Sequence, residues 1–321
     1  MDSFRSSLEV LKFLPPQEVL SQLSQVCRAW SRASNSDELW ITFFDSEQAP
    51  ALQSCSSFKA GYQHFRCSPF SLFLLSKQSI DVFNVRKKKW VRRVRIQRRL
   101  PTDTASAFVV LPDGSLLICG GGDPVLAAAF RVDLNGIVVD LGPMEQARVE
   151  HGIVQMGSCV YVFGGENDFG MLKSYERIEW EYLARIQVCR WQALGNMRNA
   201  RKLLKPCVFE GLIYLYGGFT PDFEVYDPAT NQFGMMSPPV SDFNCETLAV
   251  VEGSYLHMFT SNSHISLSPL YKEFSCTSCK QLATVWGKRN GILYHHSVYF
   301  TFDNLVHKFD FRKSKLHKVS Y

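Results

Sequence analysis

The sequence has 321 residues, 46% of them hydrophobic and 13% aromatic, enough for one small module and one large domain with a filled core. No basic stretch followed by an apolar run and a small-residue cleavage site opens the chain, and no apolar run nears the roughly 20 residues that span a bilayer, so a secreted or membrane-spanning protein is not expected. The net charge of +5 is local: Arg86 to Arg99 holds nine basic residues and no acidic one, and without that window 26 basic residues face 30 acidic ones, which argues against a general nucleic-acid binder.

Ten cysteines are scattered through mostly apolar stretches of a chain too large to need a disulfide framework. They read as reduced, largely buried thiols. The expected setting is intracellular, cytoplasmic and/or nuclear.

Taken in chain order, residues 1–67 read as helix. A weak helical piece around Ser6 to Lys12 precedes Pro15-Pro16-Gln17, a start signal that tolerates proline in the first turn. Val19, Leu20, Leu23, Val26, Cys27 and Trp30 then fall on one face at helical period. A second start at Asn35-Ser36-Asp37 leads into Leu39, Trp40, Phe43 and Phe44. So short a segment cannot bury this much apolar surface alone.

Its order, Leu14-Pro15-Pro16, then Leu23, Val26-Cys27-Arg28-x-Trp30, then Leu39-Trp40, with Phe58 to Tyr62 trailing, resembles the F-box. The Leu-Pro pair that usually opens an F-box aligns with Asp2-Ser3, which makes this box short. In that family the segment docks on a Skp-type adaptor and joins a cullin-RING ubiquitin ligase. The resemblance implies that Leu14, Pro15, Pro16, Val26, Cys27, Trp30 and Trp40 form the box or its adaptor-facing surface. Read without it, the segment is a helical cap on the following domain. The boundaries expected are 1–45 for the box, 46–67 for a helical linker and 68–321 for the remainder.

Beyond residue 67 the sequence repeats. Met144-Glu-Gln-Ala-Arg148 leads to Cys159-Val-Tyr-Val-Phe-Gly164-Gly165, and Met197-Arg-Asn-Ala-Arg201 leads to Leu212-Ile-Tyr-Leu-Tyr-Gly217-Gly218. From the arginine to the first glycine is sixteen residues in both copies. Weaker copies align on the apolar run before each glycine pair or its equivalent, with anchors at 76, 120, 164, 217, 260 and 302. Short runs of Val, Ile, Tyr and Phe bounded by Gly, Pro, Asn and Asp predict four strands per unit. Such a unit cannot bury both its faces and must stack on its neighbours in a ring.

The glycine pairs, the Tyr-Asp-Pro-x-Thr-Asn-x-aromatic run at Tyr226 to Phe233, and Trp90 and Trp191 at distal positions resemble Kelch repeats. The expected fold is therefore an all-β six-bladed Kelch-type β-propeller preceded by a small all-α F-box-like segment. The function the two resemblances imply is a non-catalytic substrate receptor, with a Skp-type adaptor, the cullin-RING core and a protein target as partners. The alternatives are a propeller scaffold without a ligase role, and a propeller enzyme such as a copper radical oxidase, whose paired His and Tyr ligands are not recognisable here.

Several constellations keep two readings. Arg148 and Arg201, recurring ahead of the first strand of their units, read as substrate-binding residues on end loops or as ties between blades. Arg86 to Arg99 reads as an acidic-partner site, an import signal, a nucleic-acid contact, or a solvated blade edge. Cys276-Thr-Ser-Cys279, with His257 and His264 upstream, has ingredients of a zinc site but reads more simply as blade residues, as do His151, His295 and His296. The insertion between Gly165 and Trp191, with Glu166, Asp168, Glu176, Trp180 and Tyr182, reads as a partner contact or an extended hairpin. No metal or cofactor is expected.

Overall fold

The computed structural model describes residues 71–75, 78–85, 88–100, 105–111, 114–179, 190–218, 222–237, 247–252, 255–260, 263–268, 273–278, 291–294, 297–302, 305–310 and 315–319. The expected F-box segment and linker, residues 1–67, lie outside them, and no helix occurs among them.

Six antiparallel sheets follow one another along the chain, and each is built from consecutive strands joined as hairpins. The first holds Ser71–Leu75, Ser79–Asn84 and Lys89–Arg95; the second Ala107–Val110, Leu116–Cys119, Ala129–Val132 and Val138–Asp140. The third holds Gly152–Met156, Cys159–Phe163, Ser174–Glu179 and Gln192–Asn196; the fourth Leu204–Phe209, Leu212–Gly217, Phe223–Asp227 and Gln232–Met236. The fifth holds Leu248–Glu252, Tyr255–Phe259, Ser263–Ser268 and Glu273–Ser278; the sixth Gly291–Tyr294, Ser297–Phe302, Leu305–Asp310 and Lys315–Val319. A small hairpin, Glu166–Asn167 with Gly170–Met171, projects after the third sheet's glycine pair.

Burial grades from inner to outer strands in the first four sheets. Every side chain of Leu116–Cys119 and of Cys159–Phe163 is buried, because neighbouring sheets cover both faces of these second strands. The fourth strand Gln192–Asn196 has no buried residue, and Lys89–Arg95 buries only Val94. Continuous apolar runs inside and polar runs outside are the pattern of blades packed face to face.

Apolar seams join consecutive sheets. Ile80, Val82 and Val94 of the first pack with Ile118, Phe130 and Val132 of the second. Leu117 and Cys119 meet Val160, Val162 and Trp191 of the third, and Tyr161, Phe163 and Tyr175 meet Ile213, Leu215 and Tyr226 of the fourth. Tyr214 and Tyr216 meet Leu256, Met258 and Ile265 of the fifth, and Phe259 touches Phe309 of the sixth with ring centroids 6.3 Å apart. Leu72, Phe83 and Val85 of the first sheet form a cluster with Tyr299 and Val306 of the sixth. This is an all-strand β-propeller.

Where six four-stranded blades are expected, the described residues show five; the first unit has three strands. Strand starts at 71, 79 and 89 repeat those at 297, 305 and 315 with one constant offset, so its strands hold the second to fourth places of a blade. The first place has no described strand.

The run at Tyr226 to Phe233 now has a physical account. Asp227 accepts from the Ala229 amide and the Thr230 hydroxyl at 2.9 Å each and so fixes the turn. Asn231, at a φ of 56° that asparagine tolerates, accepts from the hydroxyls of Tyr175 at 2.6 Å and Tyr226 at 2.8 Å, which ties the third blade to the fourth.

The glycine pairs are places of close approach. Gly164 has a φ of 57°, and a Cβ built there would overlap the carbonyl oxygen of Arg201 in the next blade's entry loop. Gly157, at a φ of 58°, faces open space. We predict that Gly157→Ala costs about 1–2 kcal/mol, the left-handed backbone penalty alone, whereas Gly164→Ala costs more than about 3 kcal/mol because the overlap adds to it. Urea unfolding of the two variants measures the difference, and equal costs would contradict it.

Candidate functional site

The repeated Met-x-x-Ala-Arg loops enter the third and fourth blades, and their residues are used alike. Met144 and Met197 fill the seams between blades. Glu176, on the third blade's third strand, accepts from the amides of Glu145 at 2.7 Å and Gln146 at 3.1 Å; Glu224 accepts from Arg198 at 2.9 Å and Asn199 at 3.1 Å. Each glutamate also faces the loop's arginine. Arg148 pairs with Glu176, and the Nε of Arg201 lies 3.3 Å from Glu224.

The arginines reach further. Arg148 donates to the carbonyls of Gly164 at 2.6 Å and Ser174 at 3.2 Å, and Arg201 donates to that of Asp222 at 2.6 Å. Their own carbonyls accept from the preceding blade: the Gly121 amide donates to Arg148 at 2.9 Å and the Gly165 amide to Arg201 at 2.8 Å. One residue therefore binds the blade before through its backbone and its own blade through its side chain.

This placement corrects the expectation that Arg148 and Arg201 contact a substrate. Both are fully buried, and their guanidiniums face glutamate and carbonyl oxygens inside the blades. They are ties between blades. Burial pulls the Arg201 guanidinium below the ordinary arginine value, while Glu224 works in the opposite direction.

Sequence reasoning missed Glu224, and it placed Glu176 in an insertion read as a partner contact or an extended hairpin, whereas the structure buries it. The signal was present: both follow an aromatic residue, Tyr175 and Phe223, on a third strand where an apolar residue is the norm. The equivalent place in the second blade, paired with the residue two before the first glycine, is Phe130.

Above these ties lies an exposed surface. Lys202 pairs with Glu166 and sits 3.9 Å from Glu150, and Val149 pairs with Glu166 through the backbone. The hairpin Glu166–Met171 carries Phe169, 98% exposed, at its tip and Met171, half exposed, at its base. An aromatic side chain held in water on a short hairpin is placed to bind something apolar.

The remaining candidates are structural where described. His151 is buried with its Nε2 3.3 Å from the sulfur of Cys119, whose thiol is pushed well up by burial and so supplies no thiolate. The Cys207 thiol is pushed up to about 12 for the same reason. His257 and His264 share a hydrogen bond of 3.0 Å, His264 stacks on Phe259 at 4.6 Å, and burial lowers its pKa. Cys276 stands on the fifth blade's fourth strand; Cys279, His295 and His296 lie outside the described residues, as do Trp180, Tyr182, Leu14, Pro15, Pro16, Val26, Cys27, Trp30 and Trp40. Among the described residues no group of three or more His, Cys, Asp and Glu is placed to hold a metal ion.

Stacked antiparallel blades tied at glycine pairs define a β-propeller, and comparison with known proteins shows what the chain is similar to. Residues 7–46 match the F-box-like family model. An F-box/kelch-repeat protein of Arabidopsis thaliana is 28% identical over 155 residues, 44% of this chain and 36% of that protein. A kelch repeat and BTB domain-containing protein of cowpox virus is 28% identical over 120 residues, 36% of this chain and 20% of its own. The match thus spans about a third of the plant relative and a fifth of the viral one. The solved structure of YjhT superposes with a TM-score of 0.52 at 13% identity, covering 63% of this chain and 72% of that one, which speaks to the fold. Together the N-terminal match and the homology support an F-box/kelch-repeat protein.

The buried pairs carry a prediction. Replacing one partner, as in Glu224→Gln, leaves a buried guanidinium without its counter-charge and should cost about 3–5 kcal/mol. The double variant Arg201→Met with Glu224→Leu should cost less than the sum of its single variants. Arg93→Gln, which breaks an exposed pair with Asp81, should leave the unfolding midpoint nearly unchanged. Chemical unfolding checks all three, and additive costs at Arg201 and Glu224 would contradict the pairing.

Proposed function

We propose that this chain is the substrate-recognition subunit of a cullin-RING ubiquitin ligase, in which the F-box-like segment binds a Skp-type adaptor and the propeller binds the target. The observation that carries it is the order of parts: an F-box-like match over residues 7–46 ahead of a propeller. Leu14, Pro15, Pro16, Val26, Cys27, Trp30 and Trp40 fall inside the matched segment and are the proposed box and adaptor-facing residues. We take 1–45 as the box, 46–67 as a helical linker and 68–321 as the propeller.

The propeller is a ring of six positions, five filled by four-stranded blades and the first by a three-stranded sheet. The cluster of Leu72, Phe83 and Val85 with Tyr299 and Val306 supports closure between first and last. The chain supplies no catalytic group of its own; ubiquitin transfer is accelerated because target and ligase core are held together. The loop surface bearing Phe169 is the proposed target side. Such a subunit works in the cytoplasm and/or nucleus.

Leu14→Ala and Trp30→Ala are expected to abolish co-purification with the adaptor without shifting the unfolding midpoint of the propeller. Retention of the adaptor by both variants would overturn the assignment of the box.

A further inference from the structure

The outer strand of the first sheet, Lys89–Arg95, differs from its counterparts. It carries Lys89, Arg92, Arg93 and Arg95 in seven residues, and Lys88, Arg98 and Arg99 flank it, all exposed. The outer strands Val138–Asp140, Gln192–Asn196, Gln232–Met236 and Glu273–Ser278 carry no lysine or arginine. Charge on an outer strand guards against association of sheet edges, but Gln192–Asn196 and Gln232–Met236 stand at the same place without any. Guarding does not require it.

Two features set this strand apart from a solvated edge. Trp90 and Val91 are 38% and 42% exposed among the cations, and the Trp90 ring is held edge-on against Phe83 with centroids 5.4 Å apart. Three of the arginines are also held in place. Arg93 is gripped by Asp81 at 2.5 and 3.0 Å, Arg92 donates to the Leu134 carbonyl at 2.6 Å, and Arg98 lies over the Phe130 ring at 5.1 Å. Lys88, Lys89, Arg95 and Arg99 have no ion-pair partner among the described residues. The sixth sheet, which packs on the first, ends in another basic outer strand, Lys315–Val319 (KLHKV).

We propose that this strand is a docking surface for an acidic, Asp/Glu-rich peptide segment of the target protein. A row of one sign attracts its opposite and speeds encounter. A fixed tryptophan beside fixed arginines supplies an anchor of the kind that dominates protein interfaces. Among the described residues no further strand pairs with Lys89–Arg95, and strand pairing along such an edge fits an extended peptide. The body of the protein is net negative once this window is removed, which disfavours a general nucleic-acid binder. The inference rests on the receptor reading, whose target chemistry it names.

The test is fluorescence anisotropy with the full chain and three labelled probes: a Glu-rich peptide with one Leu, its counterpart with Lys for each Glu, and a single-stranded DNA oligonucleotide. The acidic peptide should bind, weaken as salt rises, and bind about tenfold or more weakly to Lys89→Glu/Arg95→Glu/Arg99→Glu. Circular dichroism checks that the variant is folded; if reversal impairs folding, Arg95→Gln/Arg99→Gln replaces it, with a smaller loss expected. Equal binding to wild type and variant, no binding of the acidic peptide, or binding of the oligonucleotide in its place would each overturn the proposal. Adaptor co-purification of the wild-type chain separates the two failures, since no binding of the acidic peptide with the adaptor retained sinks the docking surface and leaves the receptor reading standing.

Discussion

The propeller depends on a carbonyl oxygen that belongs to a buried arginine. At Arg148 and at Arg201 that oxygen accepts from the second glycine of the preceding blade, and it lies so close to the first glycine that no side chain fits there. The guanidinium of the same residue meanwhile fastens the loop to the third strand of its own blade through Glu176 or Glu224. Breaking this arrangement exposes nothing to water; it leaves charges and amides buried without partners, the costly case in a protein interior. The two blades that carry the pair share Met, Ala and Arg at the same places of their entry loops because every member constrains the others.

That constraint decides where function can sit. An arginine fully buried among the oxygens of its own blade is out of a partner's reach, so binding falls to residues that the same loops push outward. Phe169 and Met171 ride on a hairpin that begins at the glycine pair, and Lys202 and Glu150 directly follow the two arginines. Buried ties underneath and exposed side chains above is the ordinary division between scaffold and loop. The basic outer strand of the first sheet is a separate surface, away from the arginine ties in sequence and carried by a different blade.

The repeat was legible because glycine pairs and the arginine spacing are positional demands of the backbone, and these leave letters in fixed places. The four-strand pattern of the fourth unit and the turn at Pro228 to Asn231 were readable for the same reason. The role of Arg148 and Arg201 was not. A charged residue on a predicted loop reads as exposed, and only the register of the sheets reveals a glutamate 28 residues later in one blade and 23 in the other as its partner. The first unit was ambiguous because its outer strand is charged where apolar periodicity is the signal, and it yields three strands instead of four. For the N-terminal segment the motif order and the family match agree on residues within 7–46.

The central claim, that one part of the chain recruits a ligase and the other holds a target, is tested most directly by affinity capture from eukaryotic lysate with the full chain beside a chain beginning at Cys67. The account predicts that only the full chain retains a Skp-type adaptor and a cullin, and that both retain a common set of further proteins. Retention of adaptor and cullin by neither chain, or equally by both, would contradict it.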